Sequence, residues 1–152
     1  MVDSRQKGAR GETIIRDKLR SLTRLNWERI PGSGALDEKH GLKGDLYVPN
    51  EKNLFCIEVK SYKDDPINSK TVFNKSEIKK WWEQAVRQGK QVDREPMLIY
   101  KFNRSKPYVC VRFEDFFDLP DQIPCMVLTD GPDFNIVITE LANIINYVEF
   151  IE

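Results

Sequence analysis

The sequence predicts a single α/β domain with a mixed central β-sheet flanked by helices. The chain has 152 residues, of which 40% are hydrophobic, and this is enough apolar material for the core of one domain. Hydrophobic periodicity indicates the order helix, three strands, helix, two strands. Elements in this order pack as a sheet with helices on its faces.

The first half of the chain supplies one helix and three strands. Residues 5–25 are predicted to be a helix because apolar residues recur there at spacings of four and three. Gly8 and Gly11 lie inside this helix, so irregular first turns are expected. Strands are predicted at 26–30, 44–48 and 54–62, with a glycine-rich loop at 32–43 and a polar loop at 63–74.

The second half begins with a helix over residues 76–89. Trp81 and Trp82 are neighbours on it, so we expect only one of them in the core. Two strands joined by a hairpin turn follow at 97–102 and 108–113, then a strand at 126–128 and a short helix at 138–148.

Composition excludes several classes of protein. The sequence has no apolar run of about 18 residues, and it begins with polar and charged residues, so neither a transmembrane helix nor a secretory signal is expected. Three cysteines are too few for a disulfide scaffold, and a single histidine, His40, makes a zinc site or a histidine triad improbable. We therefore expect a soluble cytoplasmic protein.

Charge is distributed unevenly along a chain whose formal net charge is zero. All 24 basic residues lie within the first 112 residues, whereas the last 40 contain 9 acidic residues. This asymmetry predicts a core over residues 1–112 whose basic surface faces phosphates. Residues 113–152 are acidic yet apolar, and we expect them to pack as an extension on the core or on a partner subunit.

Two carboxylates and a lysine form the candidate site. Glu58 and Lys60 are two residues apart in a predicted strand, so they point to the same face. Asp45 opens the preceding strand and comes near Glu58 if the two strands form a hairpin. Adjacent carboxylates repel unless a proton or a cation lies between them, and hard oxygen ligands favour Mg²⁺ or Mn²⁺. The alternative is an exposed Glu58–Lys60 pair with Asp45 in a turn.

With these residues, the chain resembles the PD-(D/E)XK nuclease superfamily, and within it the archaeal-type Holliday junction resolvases and their phage relatives. The resemblance covers residues 5–112, although Gly44 replaces the proline of the motif. It is carried by four segments, Lys7-Gly8-Ala9-Arg10-Gly11-Glu12, Gly32-Ser33-Gly34, Asp45 and Glu58-Val59-Lys60. The resemblance implies a restriction-endonuclease-like αβββαβ core.

The resemblance also implies roles for these residues. Asp45, Glu58 and the carbonyl of Val59 would bind Mg²⁺, for which Mn²⁺ may substitute, and Glu12 would assist at the metal. Lys60 would orient the attacking water, and Ser33 would lie near the scissile phosphate. The residues expected to contact DNA are Arg5, Lys7, Arg10, Ser33 and Gln84.

The function implied is cleavage of branched double-stranded DNA, namely four-way Holliday junctions, by a homodimer in recombination and repair. Two alternatives remain open. One keeps the chemistry but changes the DNA substrate to a flap, a single strand or a restriction-like site. The other is a non-catalytic DNA-binding module built on a nuclease core.

Overall fold

The computed structural model describes residues 4–31, 42–73 and 77–152. Its helices are α1 Ser4–Thr23, α2 Ser69–Phe73, α3 Glu77–Val92 and α4 Leu141–Ile144. Its strands are β1 Glu28–Arg29, β2 Leu46–Tyr47, β3 Phe55–Tyr62, β4 Glu95–Phe102, β5 Tyr108–Arg112, β6 Met126–Thr129 and β7 Asn135–Glu140. Short 3₁₀ turns at Phe113–Asp115 and Leu119–Asp121 follow β5.

The strands form one mixed sheet in the order β1-β2-β3-β4-β5-β7-β6. β3 and β4 are parallel and are joined through α3, whereas the other neighbours are antiparallel. The predicted α/β class and the αβββαβ order are therefore confirmed, with the short α2 added between β3 and α3.

Apolar side chains cover both faces of the sheet. One cluster joins the sheet to α1 and the C-terminal residues, and it includes Ile15, Leu19, Trp27, Ile57 and Ile144. The other joins the sheet to α3, and it includes Ile78, Trp81, Trp82, Leu98 and Tyr100. Because β3 lies between these layers, Cys56 and Glu58 are buried together with Ile57 and Val59.

The structure corrects several predictions of local structure. Residues 138–148 do not form one helix, because β7 extends to Glu140 and only Leu141–Ile144 are helical. The predicted loop at 63–74 contains α2, and α1 runs without interruption through Gly8 and Gly11.

The prediction that only one of the two tryptophans lies in the core is wrong. Trp81 and Trp82 are 9% and 2% exposed, because α3 lies across the sheet and both indoles reach the cluster beneath it. Cys56 and Cys110 are buried free thiols in strands, but Cys125 is only partly buried and precedes β6.

The C-terminal residues are part of the same sheet. β7 pairs with β5 from Tyr108↔Glu140 to Arg112↔Ile136, and β6 pairs with β7. Further on, the ring of Phe150 packs edge-on against Trp27 at 5.3 Å. Within the described ranges, no helix is both long enough and apolar enough to cross a bilayer.

Candidate functional site

The site lies where β2 stops pairing with β3. Gly44 turns the chain away with φ +89°, and a Cβ at this position would lie 2.5 Å from the carbonyl oxygen of Ile57. Only glycine is compatible with both features. The backbone N–H of Asp45 donates to that same Ile57 oxygen at 2.7 Å.

At the next position of the β2–β3 ladder, the carboxylate of Asp45 accepts the hydrogen bond in place of a backbone carbonyl. The N–H of Val59 donates to Asp45 Oδ2 at 2.7 Å, where a β2 carbonyl would otherwise accept. The N–H and C=O of one strand residue point to the same side. The carbonyl of Val59 therefore faces the edge that Asp45 occupies.

Close packing of α1 against β3 brings Glu12 to the same place. Gly11 is buried, and a Cβ there would lie 2.1 Å from Ser61 Oγ, so the helix touches the strand at this residue. Glu12 follows directly, and its carboxyl group comes near enough to Asp45 to raise the pKa of that residue.

Glu58 lies on the α3 side of this edge and is held by two partners. Lys60 Nζ lies 3.2 Å from Glu58 Oε1, and Gln84 Nε2 donates to the same oxygen at 3.1 Å. The side chain of Glu58 is 7% exposed, compared with 28% for Lys60. Gln84, which the sequence placed only by resemblance, thus contacts the acidic cluster.

Arg29 also contacts this cluster and was missed by the sequence analysis. Its Nε and Nη2 donate to Glu12 Oε2 at 3.0 and 2.8 Å. Arg29 pairs with Leu46 in the β1–β2 ladder, which places it one residue from Asp45. The only signal in the sequence was a basic residue in the predicted strand that precedes the strand with Asp45.

Burial and mutual repulsion make these acids hard to ionise. Burial, then the charge of Glu58 and the nearby carboxyl group of Glu12, raise the pKa of Asp45 to about 8, against the opposing effect of the Val59 N–H. Burial also raises the pKa of Glu58, although the Lys60 ammonium opposes this shift. A proton or a cation is therefore needed to stabilise the cluster near neutral pH.

A divalent cation fits this set of donors. Asp45, Glu58 and the Val59 carbonyl supply hard oxygen ligands at one edge, which is the chemistry that Mg²⁺ and Mn²⁺ prefer, with water completing the shell. Among the described residues, no three His, Cys, Asp or Glu side chains are already arranged around one ion position. The fit therefore rests on two carboxylates and a carbonyl, with Glu12 beside them.

The remaining predicted residues lie on α1 or outside the described residues. Ser33 lies outside the described residues, as does His40. Arg5 and Lys7 lie in the first turns of α1, and Arg10 is exposed on the same helix.

Comparisons of the sequence with known proteins agree with the predicted class. The chain matches the family described as "Phage putative PDDEXK endonuclease" over residues 3–149. It is 48% identical to Protein D14 of Escherichia phage T5 over 119 residues. This aligned region covers 75% of this chain and 74% of that protein. The chain is also similar in structure to Hjc of Archaeoglobus fulgidus, a Holliday junction resolvase, with a TM-score of 0.49, 17% identity, and coverage of 91% of this chain and 99% of that one.

Proposed function

The chain belongs to the family of phage PDDEXK endonucleases, and we propose that it is a metal-dependent endodeoxyribonuclease that acts on four-way DNA junctions. The observation that carries the nuclease proposal is the convergence of Glu12, Asp45, Glu58 and Lys60 at the edge where β2 leaves β3. Carboxylates that need a cation, beside a lysine, suit the hydrolysis of a phosphodiester.

In this proposal, Asp45, Glu58 and the carbonyl of Val59 would hold Mg²⁺ or Mn²⁺, and Glu12 would assist. The cation would neutralise the carboxylates, polarise the scissile phosphate and make a nearby water easier to deprotonate. Gln84 restrains Glu58 through its hydrogen bond at 3.1 Å. Arg29 restrains Glu12, because its Nε and Nη2 both donate to the same carboxylate oxygen of Glu12.

Lys60 acts on the reacting groups. Hydrolysis forms a bond between a water oxygen and phosphorus and breaks one ester P–O bond, while negative charge grows on the phosphoryl oxygens. The Lys60 ammonium is partly exposed and lies beside Glu58, so it can orient the water or stabilise that charge. Its pairing with Glu58 keeps it at the site before DNA binds.

The DNA contacts begin at the N-terminal half of α1. Arg5, Lys7 and Arg10 would bind phosphates there, and Ser33 would approach the scissile phosphate. Contacts of this kind weaken steeply as salt rises.

The choice of a four-way junction rests on the resemblance of the segments around Glu12, Ser33, Asp45 and Lys60 to the archaeal-type Holliday junction resolvases. A homodimer with two-fold symmetry would present two such sites to two opposed strands of a junction. Cleavage of both strands would serve recombination and repair.

The test compares a labelled immobile four-way junction with a linear duplex and a single strand of the same sequence. Each DNA is incubated with Mg²⁺ or with chelator, using wild type, Asp45→Asn and the matched control Asp64→Asn, which changes an exposed carboxylate after β3. We expect paired nicks in the junction alone, lost with chelator and in Asp45→Asn but kept in Asp64→Asn.

Other results would change the proposal. Equal cutting of all DNAs would keep the nuclease and refute junction selectivity, and cutting of the single strand alone would do the same. Binding of DNA without cleavage in Mg²⁺ would leave a DNA-binding module instead.

A further inference from the structure

The turn that joins β4 to β5 holds an arginine in a backbone conformation that disfavours it. Arg104 has φ +66°, which is in the left-handed region. The N–H of Ser105 donates to the carbonyl of Phe102 at 3.0 Å, so Arg104 is the third residue of a four-residue turn. A positive φ at this position is usually supplied by glycine or asparagine. The arginine therefore makes this turn less stable than a glycine would.

The side chain of Arg104 does not offset this cost within the fold. Other groups close the turn, because the N–H of Phe102 donates to Ser105 Oγ at 3.0 Å and Ser105 Oγ donates to the carbonyl of Lys106 at 2.9 Å. The Arg104 side chain is exposed, and within the described ranges it forms neither an ion pair nor a hydrogen bond. An exposed arginine at a strained position, without a partner in the described fold, is a candidate for contact with another molecule.

A second arginine has the same backbone conformation. In the described part of the chain, the residues other than glycine that have positive φ are Arg24, Asn50, Asp93 and Arg104. Asparagine and aspartate tolerate this conformation, whereas arginine rarely adopts it. Arg24 follows the last residue of α1, and its N–H donates to the carbonyl of Arg20 at 2.9 Å, as at many helix ends. Arg24 therefore offers a matched comparison for Arg104.

The two arginines lie at opposite ends of the sheet. Trp27 lies close to the end of α1, because its ring N–H donates to Thr23 Oγ1 at 2.9 Å. Phe150 joins Trp27 to Phe55, the first residue of β3, with ring centroids 5.3 and 6.2 Å apart. The turn at Arg104 lies beyond the last residues of β3 and β4 instead. The eight residues of β3 separate the two ends by about 23 Å.

The surface around the β4–β5 turn is positively charged. Residues 101–106 contain three basic residues and no acidic residue. The N–H of Asn103 donates to the carbonyl of Lys63 at 3.3 Å, which brings a fourth basic residue to this end of the sheet. The acidic residues nearby in the chain or in the β5–β7 ladder are Asp64, Asp65 and Glu140. In the described structure, only Glu140 pairs with one of these cations, at 3.8 Å from Lys106 Nζ. The charge of Arg104 is therefore available to an external anion.

The turn lies at the same end of the sheet as the lysine of the candidate site. Lys60 pairs with Tyr100 in the parallel β3–β4 register, and Arg104 follows Tyr100 by four residues. Four residues of extended chain span at most about 14 Å. This is close to the width of the major groove of DNA, about 12 Å. One double helix can therefore reach Lys60 and Arg104 with different phosphates.

We propose that Arg104 binds a phosphate of the DNA backbone away from the scissile position, and that the protein retains it there at a cost in stability. The proposal rests on the proposed nuclease function, since DNA is the polyanion that such an enzyme binds. Phosphate contacts position a protein on DNA without reading its sequence. Arg104 would therefore help to fix how DNA of any sequence lies relative to Lys60.

The test measures DNA binding without cleavage. Wild type, Arg104→Gly and Arg104→Lys are titrated by anisotropy against a fluorescent four-way junction and a linear duplex, in chelator and over a range of salt. We expect Arg104→Gly to lower the slope of log affinity against log salt by about 0.9. This corresponds to about eightfold weaker binding at 0.1 M salt, if the electrostatic part of one contact vanishes near 1 M. Arg104→Lys should keep most of the slope, because an ammonium also binds phosphate.

Thermal unfolding of the same variants tests the cost in stability. Arg104→Gly should raise the unfolding midpoint by about 1 to 4 °C, because glycine removes the strain at this φ. The matched control is Arg24→Gly, which removes the same charge from the same backbone conformation, φ +62°, at the other end of the sheet. It should not lose stability, and it should bind DNA with the salt slope of wild type.

The proposal is overturned if Arg104→Gly keeps the salt slope of wild type, or if Arg24→Gly lowers the slope equally, since net charge alone would then explain the effect. A lower unfolding midpoint in Arg104→Gly would overturn the claim that the arginine costs stability. Cleavage by wild type together with an unchanged slope in Arg104→Gly would refute this proposal and leave the nuclease proposal intact. If the variants behave as expected but wild type cleaves no DNA in Mg²⁺, the phosphate contact stands and the nuclease proposal fails.

Discussion

Asp45→Asn should make the metal-free protein more stable near neutral pH, although it removes a residue proposed to bind metal. In the folded protein the pKa of Asp45 is raised to about 8, mainly by burial, whereas its ordinary value is 3.8. Between these values the folded state holds a proton that the unfolded chain has lost. Stability therefore falls as pH rises through this window.

The size of the effect follows from this difference in pKa. One pH unit is worth about 1.4 kcal/mol per proton, so at pH 7 the cost to the folded state is at most about 4 kcal/mol. Rearrangement and entry of water reduce such costs, so we expect a gain of about 2 to 4 kcal/mol. An asparagine also fits the site, because its carbonyl can accept from the Val59 N–H while its amide lies near the carboxyl group of Glu12.

The assay is urea unfolding of wild type, Asp45→Asn and Asp64→Asn at pH 5 and pH 8 in chelator. The advantage of Asp45→Asn over wild type should grow from pH 5 to pH 8, while Asp64→Asn tracks wild type. Adding Mg²⁺ at 100 times its dissociation constant should then stabilise wild type by about 2.7 kcal/mol and Asp45→Asn by much less. The reasoning is refuted if Asp45→Asn and wild type keep a constant difference across pH, or if wild type gains stability as pH rises while Asp45→Asn does not.

Two further predictions concern residues that position the acids. Gly11→Ala should destabilise the protein by about 1 to 3 kcal/mol and reduce cleavage, because its Cβ would meet Ser61 Oγ at 2.1 Å and push Glu12 away. Gly8→Ala meets nothing within 4 Å and should stabilise the helix by up to about 1 kcal/mol, as thermal unfolding will show. Arg29→Lys should weaken Mg²⁺ binding measured by calorimetry, because an ammonium cannot reproduce the two guanidinium bonds to Glu12.

Each of these predictions has a clear contrary result. Equal stability of the two alanine variants would mean that α1 does not rest on β3 through Gly11. Unchanged Mg²⁺ affinity in Arg29→Lys would mean that the guanidinium bonds to Glu12 do not position a group that the metal needs.

Much of the fold was predictable because many signals were local. Alternation of apolar residues identified β3, and the hairpin signal identified β4 and β5. The residues of β7 were harder to assign, because the continuous apolar run at 136–138 suits either a strand or a buried helix. In the folded protein these residues form a strand because they pair with β5. The start of α2 also has a local signal, which the predicted loop at 63–74 did not take into account. The backbone N–H of Asn68 and that of Thr71 each donate to the other residue's side chain, as at a capped helix N-terminus.

The candidate site was predictable only in part. The motif spacing placed Asp45 near Glu58 through the pairing of β2 with β3, and the structure forms that pair. Arg29 was not predictable, because its partner Glu12 lies 17 residues away on another element.

The sequence by itself determined the order of the elements in the αβββαβ core, the face on which each side chain of a strand lies and the identity of the acids. Local spacing is enough for these because backbone geometry repeats every two or 3.6 residues. Only the tertiary structure decided that Glu58 is buried, that Arg29 binds Glu12 and that the edge at Val59 remains open to Asp45. Desolvation and charge interactions depend on distances in space, and residues far apart in the chain set those distances when the layers pack.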